Sequence, residues 1–205
     1  MNQHLNQLQQ IYEWTPNYRL VLKKLVPQVP NLLKIPQSSG ISGWICLLYN
    51  NLNPICLWVT NNDSYEIPIC LDERLYGDTI FKAEKINNTI ILSDIYILNC
   101  TNIFRSTTYK QRSELISEII SRFYTEIKGF PQIIPKSKYD FGGKKLKGYE
   151  LYTEEVGSKG YFVENTKTKI IKSDIPDVYF IDGTKNYLRV PDLKTSEYLR
   201  SKDKE

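Results

Sequence analysis

Histidine and alanine are almost missing from this chain of 205 residues, which contains one of each, His4 and Ala83. A lone imidazole near the N-terminus argues against a Ser-His-Asp or Cys-His catalytic arrangement and against a histidine-rich metal site. We therefore predict no metal and no cofactor. The scarcity of alanine, beside abundant Ile, Asn, Lys and Tyr, is typical of an A/T-rich genome and indicates nothing about chemistry.

Paired cysteines and long apolar runs are missing as well. The four cysteines stand singly in apolar stretches without a Cys-x-x-Cys motif, which predicts buried, reduced thiols. They are Cys46, Cys56, Cys70 and Cys100. No run approaches the ~18 apolar residues of a membrane span, and the N-terminus lacks the apolar core of a signal peptide. We expect an intracellular, cytoplasmic protein with no membrane partner.

The overall charge does not identify a partner, since 27 basic residues oppose 23 acidic ones and leave a net charge of +4. That surplus is too small for a polycation but allows a local basic groove. With 41% hydrophobic residues, the chain can build one core. We predict an N-terminal helical lead and Pro-rich linker over 1–36, one domain over 37–200 and a charged tail over 201–205.

Hydrophobic periodicity predicts an α+β fold in which helices cover a mostly antiparallel sheet. Apolar residues at helical spacing predict a helix over 3–13 and a longer one over 111–127. Short β-rich runs bounded by Asn, Asp, Gly and Pro predict strands. These strands cover 44–49, 54–60, 65–71, 78–84, 89–98, 149–153, 160–164, 169–172, 178–181 and 187–190.

Three strings within this order of elements resemble the covalent nucleotidyltransferases, that is, the mRNA capping guanylyltransferases and the polynucleotide ligases. Residues 79–84 (TIFKAE) are similar to the motif whose Glu contacts the nucleotide sugar. Residues 91–95 (ILSDI) resemble the end of a following strand, and Arg112 stands where the family opens a helix with arginine. The resemblance implies a guanylyltransferase/ligase-like nucleotide-binding domain.

The catalytic strings of that family are not found. The turn that should carry its nucleophilic K-x-D-G reads SGISGW over 39–44, without lysine or aspartate. Residues 159–163 (KGYFV) place Lys159 where the family has an acid that helps to hold metal. A nucleophile displaced to Lys34 or Lys82 is the remaining route to an active guanylyltransferase or ligase. We expect a binding protein rather than an enzyme.

A non-catalytic branch of the same fold matches better. Residues 186–191 (NYLRVP) resemble the G-W-L-R-P string of the snurportin cap-binding domain, whose aromatic residue stacks on a methylated guanine. The resemblance gives Tyr187 that stacking role and Arg189 a phosphate or structural role. The layout also resembles uncharacterised proteins of large DNA viruses, in agreement with the A/T-rich composition.

The resemblance assigns a ligand-binding set of Tyr187, Glu84, Arg189, Lys82 and Lys159. Glu84 would accept hydrogen bonds from a ribose or a guanine edge, and the two lysines would oppose phosphate charge. The alternatives are a surface acid at a strand end for Glu84, solvated side chains for the lysines and a structural tyrosine for Tyr187.

A second candidate surface is the lysine-rich segment 136–147, predicted as a mobile loop or a basic patch. Lys138, Lys144, Lys145 and Lys147 are predicted to bind single-stranded RNA through phosphate contacts, with interleaved aromatic residues stacking on bases. A solvated lysine loop is the alternative.

Three further predictions concern the core. Asp94 lies in an apolar run, where an unpaired carboxylate is costly, so we expect it to bond to backbone amides or to Arg112. Trp44 and Trp58 are expected to anchor the core.

These features predict a non-catalytic nucleotide-binding or RNA 5′-cap-binding module whose ligand is capped RNA or a guanine nucleotide. The alternative is a viral structural or assembly protein with a vestigial groove and viral proteins as partners, for which 12% aromatic residues would suit the interfaces. Either viral protein would act in the host cytoplasm, in a viral factory or in the virion.

Overall fold

The computed structural model describes residues 3–13, 31–164, 170–173, 175, 177–181, 187–188, 190 and 193–202. The chain forms two compact units, Met1–Asn165 and Thr166–Glu205. The predicted α+β class with mostly antiparallel sheets is confirmed. The predicted boundary between 36 and 37 falls inside the first strand, and most of the predicted linker lies outside the described residues.

The described part of the first unit builds two sheets. Its helices are α1 (Gln3–Tyr12) and α2 (Tyr109–Phe123), and its strands are β1 (Leu33–Ser38), β2 (Ile41–Asn50), β3 (Asn53–Val59), β4 (Ser64–Glu66), β5 (Thr79–Ile86), β6 (Thr89–Leu98), β7 (Thr101–Asn102), β8 (Gln132–Pro135), β9 (Leu146–Tyr152) and β10 (Tyr161–Glu164). The larger sheet has the order β4-β3-β2-β5-β6-β7, and β8 pairs with β6 in parallel. The smaller sheet has the order β1-β9-β10 and is antiparallel.

The larger sheet is buried on both faces, which explains why its central strands are almost continuously apolar. On one face Ile45 packs in a cluster with Ile116 of α2, and on the other Trp44 packs in a cluster with Leu8 of α1. The prediction that Trp44 and Trp58 anchor the core is confirmed, because they are only 3% and 1% exposed.

Helix α2 ends four residues before its predicted end. It opens at a capping box formed by Thr108 and Gln111. After Phe123 the chain leaves the helix and pairs with 70–72, where Asp72 N donates to Phe123 O at 2.9 Å. Tertiary pairing therefore overrides the helical periodicity of the last residues.

The four cysteines are free, but their exposure is not uniform. Cys46 and Cys56 are buried as predicted, and burial raises the pKa of both thiols. Cys70 is half-buried. The prediction of burial is wrong for Cys100, which is exposed because it forms the tight turn between β6 and β7 with a φ of 64°.

The residues described in the second unit form a small antiparallel sheet and one helix. Its elements are β11 (Ile170–Lys172), β12 (Tyr179–Ile181), β13 (Tyr187–Leu188) and α3 (Leu193–Lys202), with the strand order β11-β12-β13. The carboxylate of Asp177 accepts hydrogen bonds from Ser196 Oγ at 2.6 Å and Arg200 Nε at 3.0 Å, which ties α3 to the loop before β12. Helix α3 was not predicted, because its sequence, LKTSEYLRSK, has few apolar residues.

Candidate functional site

Among the described residues of the first unit, six buried acidic or basic side chains lie around strands β5 and β9. We call them the buried ionic layer: Lys82, Glu84, Asp94, Arg112, Lys136 and Glu150. Each is at most 7% exposed. Three positive and three negative charges make the layer neutral, which is the condition under which charges can be buried at a tolerable cost.

Glu84, a predicted ligand contact, has both carboxylate oxygens occupied by protein donors. Its Oε2 accepts from Ser38 N at 2.8 Å and from Ser38 Oγ at 2.5 Å, and its Oε1 accepts from Lys136 Nζ at 2.5 Å. Burial lowers the pKa of Lys136, although the charge of Glu84 opposes this effect. Glu84 therefore fastens β1 and the 3₁₀ turn Lys136–Lys138 to β5, and its ligand role stays a prediction.

Lys82, another predicted contact, forms a buried ion pair with Glu150 of β9. Burial by itself would raise the pKa of Glu150, but the charges of Lys82 and Lys136 outweigh this effect and hold that pKa below its ordinary value. Glu150 Oε2 also accepts from Tyr152 OH at 2.8 Å. The ammonium of Lys82 is thus engaged inside the protein, and its roles as ligand contact or displaced nucleophile stay predictions.

The predicted bond between Asp94 and Arg112 is confirmed. Arg112 Nε donates to Asp94 Oδ1 at 2.6 Å and its Nη2 donates to Oδ2 at 3.1 Å. Two further donations reach the backbone oxygens of Thr107, at 2.7 Å, and Ser158, at 3.0 Å. Burial raises the pKa of Asp94, an effect that Arg112 opposes. Arg112 therefore connects the buried ionic layer to the loop that carries Ser158.

That loop, between β9 and β10, borders a cavity of about 330 Å³, which we call the loop cavity. Its base is fixed by Ser158 Oγ, which accepts from both Thr153 N and Thr153 Oγ1 at 2.9 Å. The side chains that line the loop cavity include those of Glu155, Lys159 and Tyr161. Glu155 and Lys159 are exposed and Tyr161 is half-buried, so a carboxylate, an ammonium and an aromatic ring are available to a ligand.

The predicted RNA-binding lysines, Lys138, Lys144, Lys145 and Lys147, are all exposed. They do not belong to one continuous loop, because Lys136–Lys138 is a 3₁₀ turn and β9 begins at Leu146. Lys144 Nζ lies 4.1 Å from the centre of the Tyr139 ring and donates to its hydroxyl at 2.9 Å. The segment is therefore a basic patch with aromatic contacts.

A surface that sequence reasoning missed is the outer face of the smaller sheet. Along β9 the residues alternate, and Gly148, Glu150 and Tyr152 are buried. Tyr149 and Leu151 point the other way. The ammonium of Lys147, where the register with β1 shifts, instead lies 5.8 Å from the centre of the ring of Phe162, which pairs with the buried Glu150. Tyr161 of β10 and Lys34 of β1 both pair with Leu151, so these three side chains share that face. We define the outer face by the side chains Lys34, Tyr149 and Tyr161.

The last two predicted contacts belong to the second unit. Tyr187 forms part of β13, opposite Phe180, but its side chain lies outside the described part of the chain. Arg189 lies outside the described residues. Both roles stay predictions.

No protein-family model and no curated protein matches this chain. Within the described ranges, none of the helices is long and apolar enough to cross a membrane. The support for a function is therefore the geometry of the loop cavity and of the surface beside it.

Proposed function

We propose that the protein is a non-catalytic nucleotide-binding module that holds the 5′ cap of an RNA in the loop cavity. One observation carries the proposal: Lys159, which the family resemblance assigns to phosphate, lines this cavity together with Tyr161 and Glu155. The volume of about 330 Å³ lies at the lower end of the range of small-ligand sites, roughly 300–1,000 Å³. It suits one nucleotide.

The three side chains divide the recognition of a capped guanine among them. The ring of Tyr161 stacks on the base, and a methylated, cationic guanine adds cation–π attraction. The carboxylate of Glu155 accepts hydrogen bonds from the ring N–H and amino group of guanine, groups that adenine does not present in that arrangement. Lys159 opposes the charge of the phosphates.

The proposal includes a guanylyltransferase-like fold. In its support, β5 carries the string 79–84, β6 carries 91–95, and Arg112 in the first turns of α2 bonds to Asp94. A binding role is favoured over catalysis because a nucleophilic lysine must be neutral and accessible, whereas Lys82 is buried in an ion pair.

Isothermal titration with 7-methyl-GpppG, GTP and ATP tests the proposal. We expect the guanine ligands to bind and ATP to bind more weakly. Lys159→Ala should weaken binding about tenfold, because a hydrogen bond to a charged group is worth about 1.5 kcal/mol. Tyr161→Ala should weaken it by about 1–3 kcal/mol, and Tyr161→Phe should retain the stacking. The matched control is Lys128→Ala, since Lys128 is exposed in the turn after α2.

Three results would contradict the proposal. The first is the absence of binding of any nucleotide at millimolar concentration, and the second is an equal effect of Lys159→Ala and Lys128→Ala. The third is a covalent, acid-labile label on the protein after incubation with radiolabelled GTP and a divalent metal, which would show an active nucleotidyltransferase.

A second candidate is a viral structural or assembly protein in which the ancestral groove is vestigial. It is favoured by the closed hydrogen bonding of Glu84 and by the ion pair of Lys82, which leave these two motif residues committed to the fold. Co-purification of the protein with virions, together with indifference to every cap analogue, would support this candidate over the first.

A further inference from the structure

The outer face of the smaller sheet carries two aromatic rings on adjacent strands. Tyr149 of β9 pairs with Val163 of β10, and Tyr161 stands two residues away from Val163 on that strand. The two tyrosines are therefore diagonal neighbours, with Cα atoms about 7–8 Å apart. Both are half-buried, so each ring is fixed by the sheet and remains partly open to solvent.

Positive charge surrounds these rings. Lys34 is exposed, and its Nζ lies 3.9 Å from the centre of the Tyr149 ring. The adjoining segment 137–146 adds exposed lysines and one acid, Asp140, whose carboxylate already accepts from Gly142 N at 2.7 Å. The surface combines cations for phosphates with rings for bases.

We propose that the outer face binds single-stranded RNA, with one base stacked on Tyr149, next to the cap base on Tyr161, and with a phosphate held by Lys34. Aromatic residues on a sheet stack successive unpaired bases, whereas paired bases cannot reach such rings. The inference extends the proposed function to the RNA that follows the cap, and it rests on that function only for the position of the 5′ end. Tyr161 borders the loop cavity, so an RNA leaving the cavity passes directly onto the outer face.

A base can displace Lys34 from the Tyr149 ring. A lysine–ring contact at an exposed site is worth about a two- to fivefold factor in an equilibrium constant. A base stacked on an aromatic side chain is worth a factor of about 5 to 150. Base stacking on the Tyr149 ring is therefore more favourable than the contact with Lys34. The ammonium of Lys34, once displaced, is available to a phosphate.

The test uses a fluorescein-labelled oligouridylate of eight nucleotides with a 5′-hydroxyl end, followed by fluorescence anisotropy. Tyr149→Ala should weaken its binding about 5- to 150-fold, and Tyr149→Phe should bind like the unchanged protein. Tyr65→Ala is the matched control, because Tyr65 is 42% exposed on β4 and also has a lysine, Lys85, over its ring at 5.3 Å. It should leave binding unchanged.

The salt dependence of binding provides a second readout that does not require the replacement of an aromatic residue of the sheet. Each phosphate contact contributes a slope of about −0.7 to the plot of log K against log salt for a single strand. Lys34→Gln should make the slope shallower by about that amount, whereas Lys85→Gln should not. A duplex RNA should bind weakly, and a DNA strand of the same length tests whether the ribose contributes.

The cap site and the outer face can fail separately. Tyr149→Ala and Lys34→Gln should leave the affinity for the isolated cap analogue unchanged, and Lys159→Ala should leave the affinity for the uncapped oligonucleotide nearly unchanged. The inference is overturned if Tyr149→Ala and Tyr65→Ala bind the oligonucleotide equally well. It is also overturned if Tyr149→Ala fails to fold and Lys34→Gln keeps the original salt slope. Failure of cap binding alone would overturn only the proposed function.

Discussion

Replacing Arg112 by methionine tests how much the buried ionic layer contributes to stability, because Arg112 is its most deeply buried cation. The side chain of Arg112 is fully buried and donates two hydrogen bonds to Asp94 and one each to the carbonyls of Thr107 and Ser158. Methionine retains an apolar stem of similar reach and removes the charge. The carboxylate of Asp94, which is also fully buried, then has no arginine to neutralise it.

The expected loss is large on the scale of protein stability. Removing one partner of a buried ion pair costs about 3–5 kcal/mol, because the other charge stays behind without compensation. For a chain of this length the loss corresponds to a fall in Tm of about 6–20 °C. The control is Arg122→Met on the same helix: Arg122 is 66% exposed and pairs with Glu118 at 3.0 Å, so the expected cost is about 0.5 kcal/mol or less.

Urea unfolding followed by tryptophan fluorescence measures both variants, since Trp44 and Trp58 are buried. The loss in Arg112→Met should be smaller at pH 5 than at pH 8. Burial raises the pKa of Asp94, so the folded variant binds more protons than the unfolded chain and its stability falls as the pH rises. Adding Asp94→Asn should recover about 0.5–3 kcal/mol, because the stranded charge is then removed.

Two outcomes would refute this reasoning. One is a loss of less than about 1 kcal/mol in Arg112→Met, which is the scale of an exposed pair. The other is strict additivity in the double mutant, because residues in direct contact should show a coupling energy.

Other side chains provide shorter tests. The pKa of Glu150 lies below its ordinary value, so the stability that Glu150 contributes should be present above about pH 4.3 and lost as the pH falls further. In urea unfolding at a series of pH values, Glu150→Gln should reduce the fall in the free energy of unfolding below that pH. An unchanged fall would contradict the prediction. Leu52 has a φ of 68° and is 92% exposed, so Leu52→Gly should relieve backbone strain and raise the free energy of unfolding in urea by about 0.5–1 kcal/mol. An unchanged or lower free energy of unfolding would show that the turn carries no strain. Exposed Cys100 should react with a thiol reagent in the native protein, whereas Cys46 and Cys56 should react only after unfolding. Cys100→Ser should therefore remove the fastest phase of the thiol reaction. A fast phase that remains in this variant would contradict the prediction.

The central strands of the larger sheet could be predicted because the signal for each strand lies within its own residues. β2, β3, β5 and β6 are buried over most of their length, so apolar runs between turn residues mark them within a few residues. The predicted strand over 65–71 is formed only over Ser64–Glu66. β1 and β8 were missed because each contains a proline, a residue tolerated at the edge of a sheet. Their pairing partners lie far away in the sequence.

The site was harder to predict, for the same reason. Asp94 in an apolar run demands a partner, and Arg112 at the head of an amphipathic helix could be proposed as one. Lys136 gives no comparable signal, because it stands in a lysine-rich segment typical of a solvated loop, and its partner, Glu84, lies 52 residues away. Lys34 was placed in a linker, so the outer face could not be recognised before β1 was seen to pair with β9.

The motif-like residues and the loop cavity are joined through Arg112. The guanidinium that neutralises Asp94 also donates to the carbonyl of Ser158, and Ser158 fixes the base of the loop that carries Lys159. Asp94 of the string on β6 thus supports the loop from within the fold through Arg112, while Glu155 and Lys159 of the loop are exposed. On our proposal a nucleotide therefore meets the exposed side chains of the loop, and the neutral set of ion pairs behind them belongs to the fold.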